Sequence, residues 1–170
     1  GRNAAADTRT FMLGVQTLYA PDAWNGFYLT AQARAGMEDG DMTRNIAVNG
    51  YFARNESDWT GFLGGAMIGA GKDWTWNTNS GTFAAGPLAW LEYDVLHRPD
   101  ISEHGSSASR LHLDGETCNS VPLALGAHAG WNTTVNNGST LSLDLMAAWK
   151  HELADNTLTT RASFQNYGAF

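Results

Sequence analysis

Cysteine is nearly absent: Cys118 stands alone, so no intrachain disulfide can form. Long apolar runs are missing as well. The longest, Phe62 to Gly71, is ten residues with four glycines among them, short of the ~18 that a spanning helix needs. Basic residues are few, 10 Lys and Arg against 17 Asp and Glu. A net charge of −7 offers no cationic surface to displace counterions, which argues against a nucleic-acid partner. Proline is scarce, at 4, and so rarely interrupts extended chain. No apolar h-region follows Gly1-Arg2-Asn3-Ala4, which leaves location undecided. Apolar residues seldom recur at the helical i, i+3, i+4 spacing, and with a mean hydropathy of −0.30 a bundle of membrane helices is excluded.

What is present is alternation with period two, the mark of strands with two unlike faces. In Val121–Trp131, Leu123, Leu125, Ala127, Ala129 and Trp131 oppose Ala124, Gly126, His128 and Gly130. In Leu141–Lys150, Leu141, Leu143, Leu145, Ala147 and Trp149 oppose Ser142, Asp144, Met146, Ala148 and Lys150. Phe27 to Ala35 sets Leu29 against Arg34; Phe83 to Val95 sets Leu91 against Glu92 and Asp94. Ile46 to Phe52 and Leu158 to Phe164, the latter with Arg161, continue the pattern, while Thr10 to Tyr19 carries it weakly. Polar clusters mark turns at Glu38-Asp39-Gly40-Asp41, Asn55-Glu56-Ser57-Asp58, Asn77 to Gly81, Asn136-Asn137-Gly138 and Ala154-Asp155-Asn156. The expectation is an all-β, up-and-down antiparallel transmembrane β-barrel with about eight long strands, one domain over 1–170. Within it, 1–23 reads as a weak first strand and linker, 24–97 as strands, 98–118 as a long connection with a short strand at Arg110–Leu113, and 119–170 as strands.

Three features favour lipid over water. The strands read as long, often about ten to fourteen residues, which meets the ~9–11 of a tilted membrane strand and exceeds the ~5–6 of a soluble one. Trp59, Trp74, Trp131 and Trp149 sit at segment ends, where interfacial girdles form. The face opposite the leucines carries Arg34, Glu92, Asp94, His128, Asp144, Lys150, Glu152 and Arg161, a polar network suited to a wet lumen. Leu29, Leu91, Leu123, Leu125, Leu141, Leu143 and Leu145 then face lipid. A closed barrel is the only sheet that crosses a bilayer without unpaired edges. A soluble ligand-binding β-barrel would turn the leucine face inward instead.

Beyond periodicity, Gly86-Pro87-Leu-Ala-Trp-Leu91-Glu-Tyr93 is followed by Glu103-His104-Gly105, Leu125-Gly126, Ala148-Trp149-Lys150-His151-Glu152 and Ala162-Ser163-Phe164. In this order the motifs resemble the autotransporter translocator β-domain, over about half of the chain from Gly81. The resemblance implies an outer-membrane barrel of about twelve strands, inserted by the barrel-assembly machinery, that helps export its own N-terminal passenger. On that count the chain is a portion of the barrel and Phe170 a boundary within it; the alternative is a complete small outer-membrane barrel serving structure, adhesion or a pore. A truncated sheet would be open to edge-to-edge self-association. No catalytic motif is found, no cofactor is implied, and His97, His104 and His112, near Glu103 and Asp114, lack the paired spacing of a zinc site. The chain is expected not to be an enzyme.

Overall fold

In the computed structural model, residues 2–105, 107–135, 138–154, 161–165 and 168–169 are described. The alternating segments form strands, and several outrun their apolar portions. Six are long: β1 (Arg2–Tyr19), β2 (Phe27–Val48), β3 (Tyr51–Lys72), β5 (Gly81–Arg98), β10 (Pro122–Thr134) and β11 (Thr140–Glu152). Short strands fill the rest: β4 (Trp74–Thr78), β6 (Ile101–Ser102), β7 (His104–Gly105), β8 (Leu111–Leu113), β9 (Glu116–Ser120), β12 (Ala162–Phe164) and β13 (Gly168–Ala169). The long strands pair antiparallel in the order β1-β2-β3-β5-β10-β11, with β4 and β9 on β5 and β7 on β3. Neighbours in space are neighbours in sequence, the up-and-down meander, and the sheet curls into a half-barrel. A second sheet, β13-β12-β8-β6, gathers β6 and β8 of the long connection and the described part of the segment after β11.

Among the described residues six long strands stand where eight are expected: two anticipated turns lie inside strands, which absorbs the segment Ile46 to Phe52, and the described part of the eighth segment is the short β12 of the second sheet. Gly40 pairs with Trp59 and Asp41 with Asp58 in an unbroken β2–β3 ladder. The chain reverses instead at Asn49-Gly50, both with positive φ (47° and 83°), the two-residue turn whose twist suits a hairpin. Ile46 to Phe52 is therefore a hairpin tip rather than a strand. The weak first segment is an 18-residue strand paired with β2 over its full length. Leu158 to Thr160 and Phe170 lie outside the described residues.

The sheet's two faces differ in burial. On β10, Pro122 and Ala124 are buried, and Gly126 and His128 are partly so, while Leu125, Ala127 and Ala129 are exposed. In a curled sheet the more covered face is the concave one. Buried hydrophobic residues among the described ones are only Ile46, Ile101 and Ala124. Ile46 and Ile101 sit where the long connection meets the β2–β3 hairpin; along the wall itself, no apolar core exists.

The register defines two ends. The short connections 20–26 and 79–80, with that between β10 and β11, share one end. The Asn49-Gly50 tip and the long connection share the other, where β2 and β3 run on well past their apolar stretch.

Candidate functional site

The convex face is a continuous apolar band. Phe11, Leu13 and Val15 on β1, Leu29 on β2, Ile68 on β3, Leu91 on β5, Leu123 and Leu125 on β10, and Leu141, Leu143 and Leu145 on β11 all point to it, since cross-strand partners share a face. Their exposure is high: 66% for Leu145, 63% for Ile68, 49% for Leu125. A monomer in water rarely shows so large an apolar patch. A tilted membrane strand needs about 9–11 residues to cross a bilayer, and the convex alternation on β5 runs from Phe83 to Val95.

Aromatic residues rim this band at the short-connection end. Trp74 pairs with Ala85 and Trp76 with Phe83, whose ring lies 6.1 Å from that of Trp131. Tyr19 meets Trp24 edge-on at 5.2 Å. Trp149 sits on the convex face toward the other end, stacked on His151 at 5.3 Å. Trp59 departs from the expected girdle. It shares the concave face with Asn55 and Ser57, and its ring lies flat over Gly40, where an added Cβ would come within 2.1 Å of Trp59 Cζ2.

The concave face carries ion pairs that each reach across an intervening strand. Arg34 Nη2 on β2 lies 2.6 Å from Asp94 Oδ1 on β5, with β3 between them. Gly65 makes the crossing feasible: a Cβ there would stand 2.2 Å from Asp94 Oδ1 and 2.9 Å from Arg34 Nε. Lys150 Nζ on β11 lies 2.8 Å from Glu92 Oε2 on β5, and the β10 residue between their strands is the fully buried Ala124. Glu92 also accepts the Trp90 indole N–H at 2.9 Å. His128 Nε2 lies 2.8 Å from Asp73 Oδ1, a partner that sequence patterning missed because Asp73 sits in the break between β3 and β4.

Three expected members stand apart from these pairs. Asp144 lies over Gly130 on the same face, with no cation at ion-pair distance among the described residues. Glu152 accepts from Ser120 Oγ (2.6 Å), Val121 N–H (2.7 Å) and Ala154 N–H (3.1 Å), so it fastens the start of β10 rather than joining the network. Arg161 is exposed beside the second sheet, where its carbonyl accepts the Asp114 N–H. It lies there because the adjoining β12 joins that sheet instead of extending the wall.

Gly65→Leu is expected to lower the unfolding free energy of the refolded chain, read by urea titration, by about 1–3 kcal/mol, the usual cost of overpacking. Asp94→Asn should cost under about 1 kcal/mol, because the Arg34–Asp94 pair is about a third exposed and water screens it. Equal effects of the two substitutions would mean that Gly65 does not set the crossing.

Sequence patterning also missed the clamp on the long connection. Glu103, with a side chain 1% exposed, receives Arg44 Nε at 2.7 Å and Arg44 Nη2 at 2.5 Å, Asn55 Nδ2 at 3.0 Å and Leu111 N–H at 2.8 Å. Arg44 Nη2 also donates to the Ser109 carbonyl at 2.6 Å. Burial pushes the Glu103 carboxyl pKa up, but the guanidinium and the Leu111 and Asn55 donors outweigh it and hold the group below its ordinary value. Gly105, at φ +146°, lets β7 press onto β3; a Cβ there would meet the Arg54 carbonyl at 2.5 Å. The Glu103-His104-Gly105 motif is thus a docking element. Its histidine neighbours find separate partners, His97 with Thr117 and His112 with Ser102 and Asp114. No group of three or more metal-ligating side chains gathers among the described residues.

A curled antiparallel sheet with leucines outside and ion pairs inside is the wall of a membrane β-barrel. The chain belongs to the autotransporter β-domain family, whose model matches residues 1–170, twice the stretch over which the motifs resemble it. That family is one of outer-membrane translocators. Comparison with curated proteins and with solved structures found no match.

Proposed function

We propose that the chain forms part of the outer-membrane wall past which its own N-terminal passenger reaches the cell surface. The carrying observation is the inversion of its two faces relative to a soluble sheet, in a chain matched along its whole length by a translocator family. The convex band meets outer-membrane lipid, and the concave ion pairs line a wet passage. The end with the β2–β3 hairpin and the long connection faces the cell exterior, since such barrels keep short turns on the periplasmic side. The barrel-assembly machinery inserts the wall. The work is physical, with no enzymatic step.

β1 and β11 are the outer strands of the wall and run in opposite directions. Either edge can therefore accept a further antiparallel strand, from the remainder of a larger barrel or, edge to edge, from a second copy.

The test places a signal sequence and an epitope ahead of Gly1 in a Gram-negative host. The reading expects the chain in the outer-membrane fraction and the epitope removed by protease added to intact cells. A protected epitope beside an inserted chain would rule out passenger export and favour a self-contained barrel.

A further inference from the structure

A groove of about 360 Å³ lies in the convex band at the short-connection end. Its floor is made of small side chains in one row: Ala70 on β3, Ala89 on β5, and Pro87 beside them. Phe27 on β2 and Leu125 on β10 form its walls. Both are about half exposed, so the groove is open to whatever surrounds the band. Lys72 stands at its head, opposite Phe27 in the β2–β3 ladder.

The surroundings of Lys72 are unusual for a cation. Its Nζ lies 4.3 Å from the Phe27 ring centroid and 5.8 Å from that of Trp74. Ring faces attract the ammonium but accept little of its hydrogen-bonding capacity, which is three donors. Among the described residues no carboxylate is within ion-pair distance of it. The adjacent Asp73 is turned to His128 on the concave side, and Asp22 lies in the 20–26 connection without pairing to it. Trp74, Trp76 and Trp131 flank the site at the depth where indoles mark the boundary between hydrocarbon and headgroups.

An apolar furrow leading to an unpaired ammonium in an aromatic rim has the chemistry of one ligand. The geometry points to a binding site for an anionic phospholipid of the surrounding leaflet, with the headgroup phosphate on Lys72 and an acyl chain along Ala70, Pro87 and Ala89. This rests on the convex face meeting lipid, and it adds that the contact is selective at this position. An anion at Lys72 and a chain laid in the furrow would hold the rim at a fixed depth.

The test refolds the full chain into phosphatidylcholine vesicles doped with acyl-brominated lipid, either phosphatidylglycerol or phosphatidylcholine, and reads tryptophan quenching. One lysine near the surface corresponds to about a fivefold preference, so the brominated anionic lipid should reach half-maximal quenching at about one fifth the mole fraction. Lys72→Gln should make the two lipids equivalent while leaving quenching by both. Ala89→Phe, which fills the furrow and keeps the lysine, should also erase the preference. Equal quenching in the unaltered chain, or a preference that survives Lys72→Gln, would overturn the site. A preference lost in Lys72→Gln but kept in Ala89→Phe would overturn the furrow as the acyl site. Absence of quenching by either lipid would instead mean that the convex face does not meet lipid, a failure of the membrane reading that the other outcomes do not mimic.

Discussion

Glu103→Ala is expected to release the 98–118 connection from the wall at a cost of about 3–5 kcal/mol, the range for stranding one partner of a buried ion pair. The carboxylate is the shared acceptor of the Arg44 guanidinium, the Asn55 amide and the Leu111 backbone N–H, so its loss orphans donors on three segments at once. The wall strands make their own ladders and should persist. Amide exchange is the suitable readout: Leu111 N–H should lose protection while the β10–β11 ladder keeps it. A Leu111 amide as protected in the variant as in the unaltered chain would show that the clamp is not what holds the connection. The pH dependence has a definite sign. Because the folded-state pKa of Glu103 lies below its ordinary 4.5, its stabilisation is fully present above that value. It disappears as pH falls through the depressed folded value. The clamp should therefore hold at neutral pH and open only in acid below the usual glutamate range.

Leu145→Arg is the second large effect expected. Leu145 is 66% exposed near the middle of the convex stretch of β11. If that stretch lies at mid-bilayer, an arginine there costs about 2–4 kcal/mol. In water the same exposed position would tolerate the charge, since surface substitutions usually fall within about 0.5 kcal/mol. Met146, one residue along, is equally exposed but faces the concave side. Met146→Arg should leave the urea unfolding midpoint in vesicles nearly unchanged, and Leu145→Arg should lower it or abolish insertion. Matching effects at the two neighbours would contradict the assignment of faces.

How much of this was legible in sequence follows from where the two faces differ. In β10, β11, β5 and the first half of β2, one face is apolar and the other small or polar, and the faces can be read residue by residue. Past Met37 and before Phe62 that contrast ends. Both faces are polar there, so Glu38 to Asp41 and Asn55 to Asp58 have the composition of turns while remaining paired as strands. Trp59 shows the same limit. Its place at the end of a segment suggests a girdle, but its odd number sets it with Asn55 and Ser57, and Gly40 opposite leaves room for its ring. Shared faces told which charges belong together, but not which pairs form; Gly65 and Ala124, the small residues between the partners, hold that information. Arg44 on β2 and Glu103 on a connection without periodicity lie 59 residues apart, and no local pattern links them.

The most direct test of the two-faced wall is a scan of single cysteines from Leu141 to Lys150 in a Cys118→Ser background. Each carries an environment-sensitive fluorophore and is read after refolding into vesicles. The account predicts alternation: blue-shifted, quencher-protected emission at 141, 143, 145, 147 and 149, and water-like emission at 142, 144, 146, 148 and 150. Uniform emission along the strand, or a dry environment at the even positions, would contradict it.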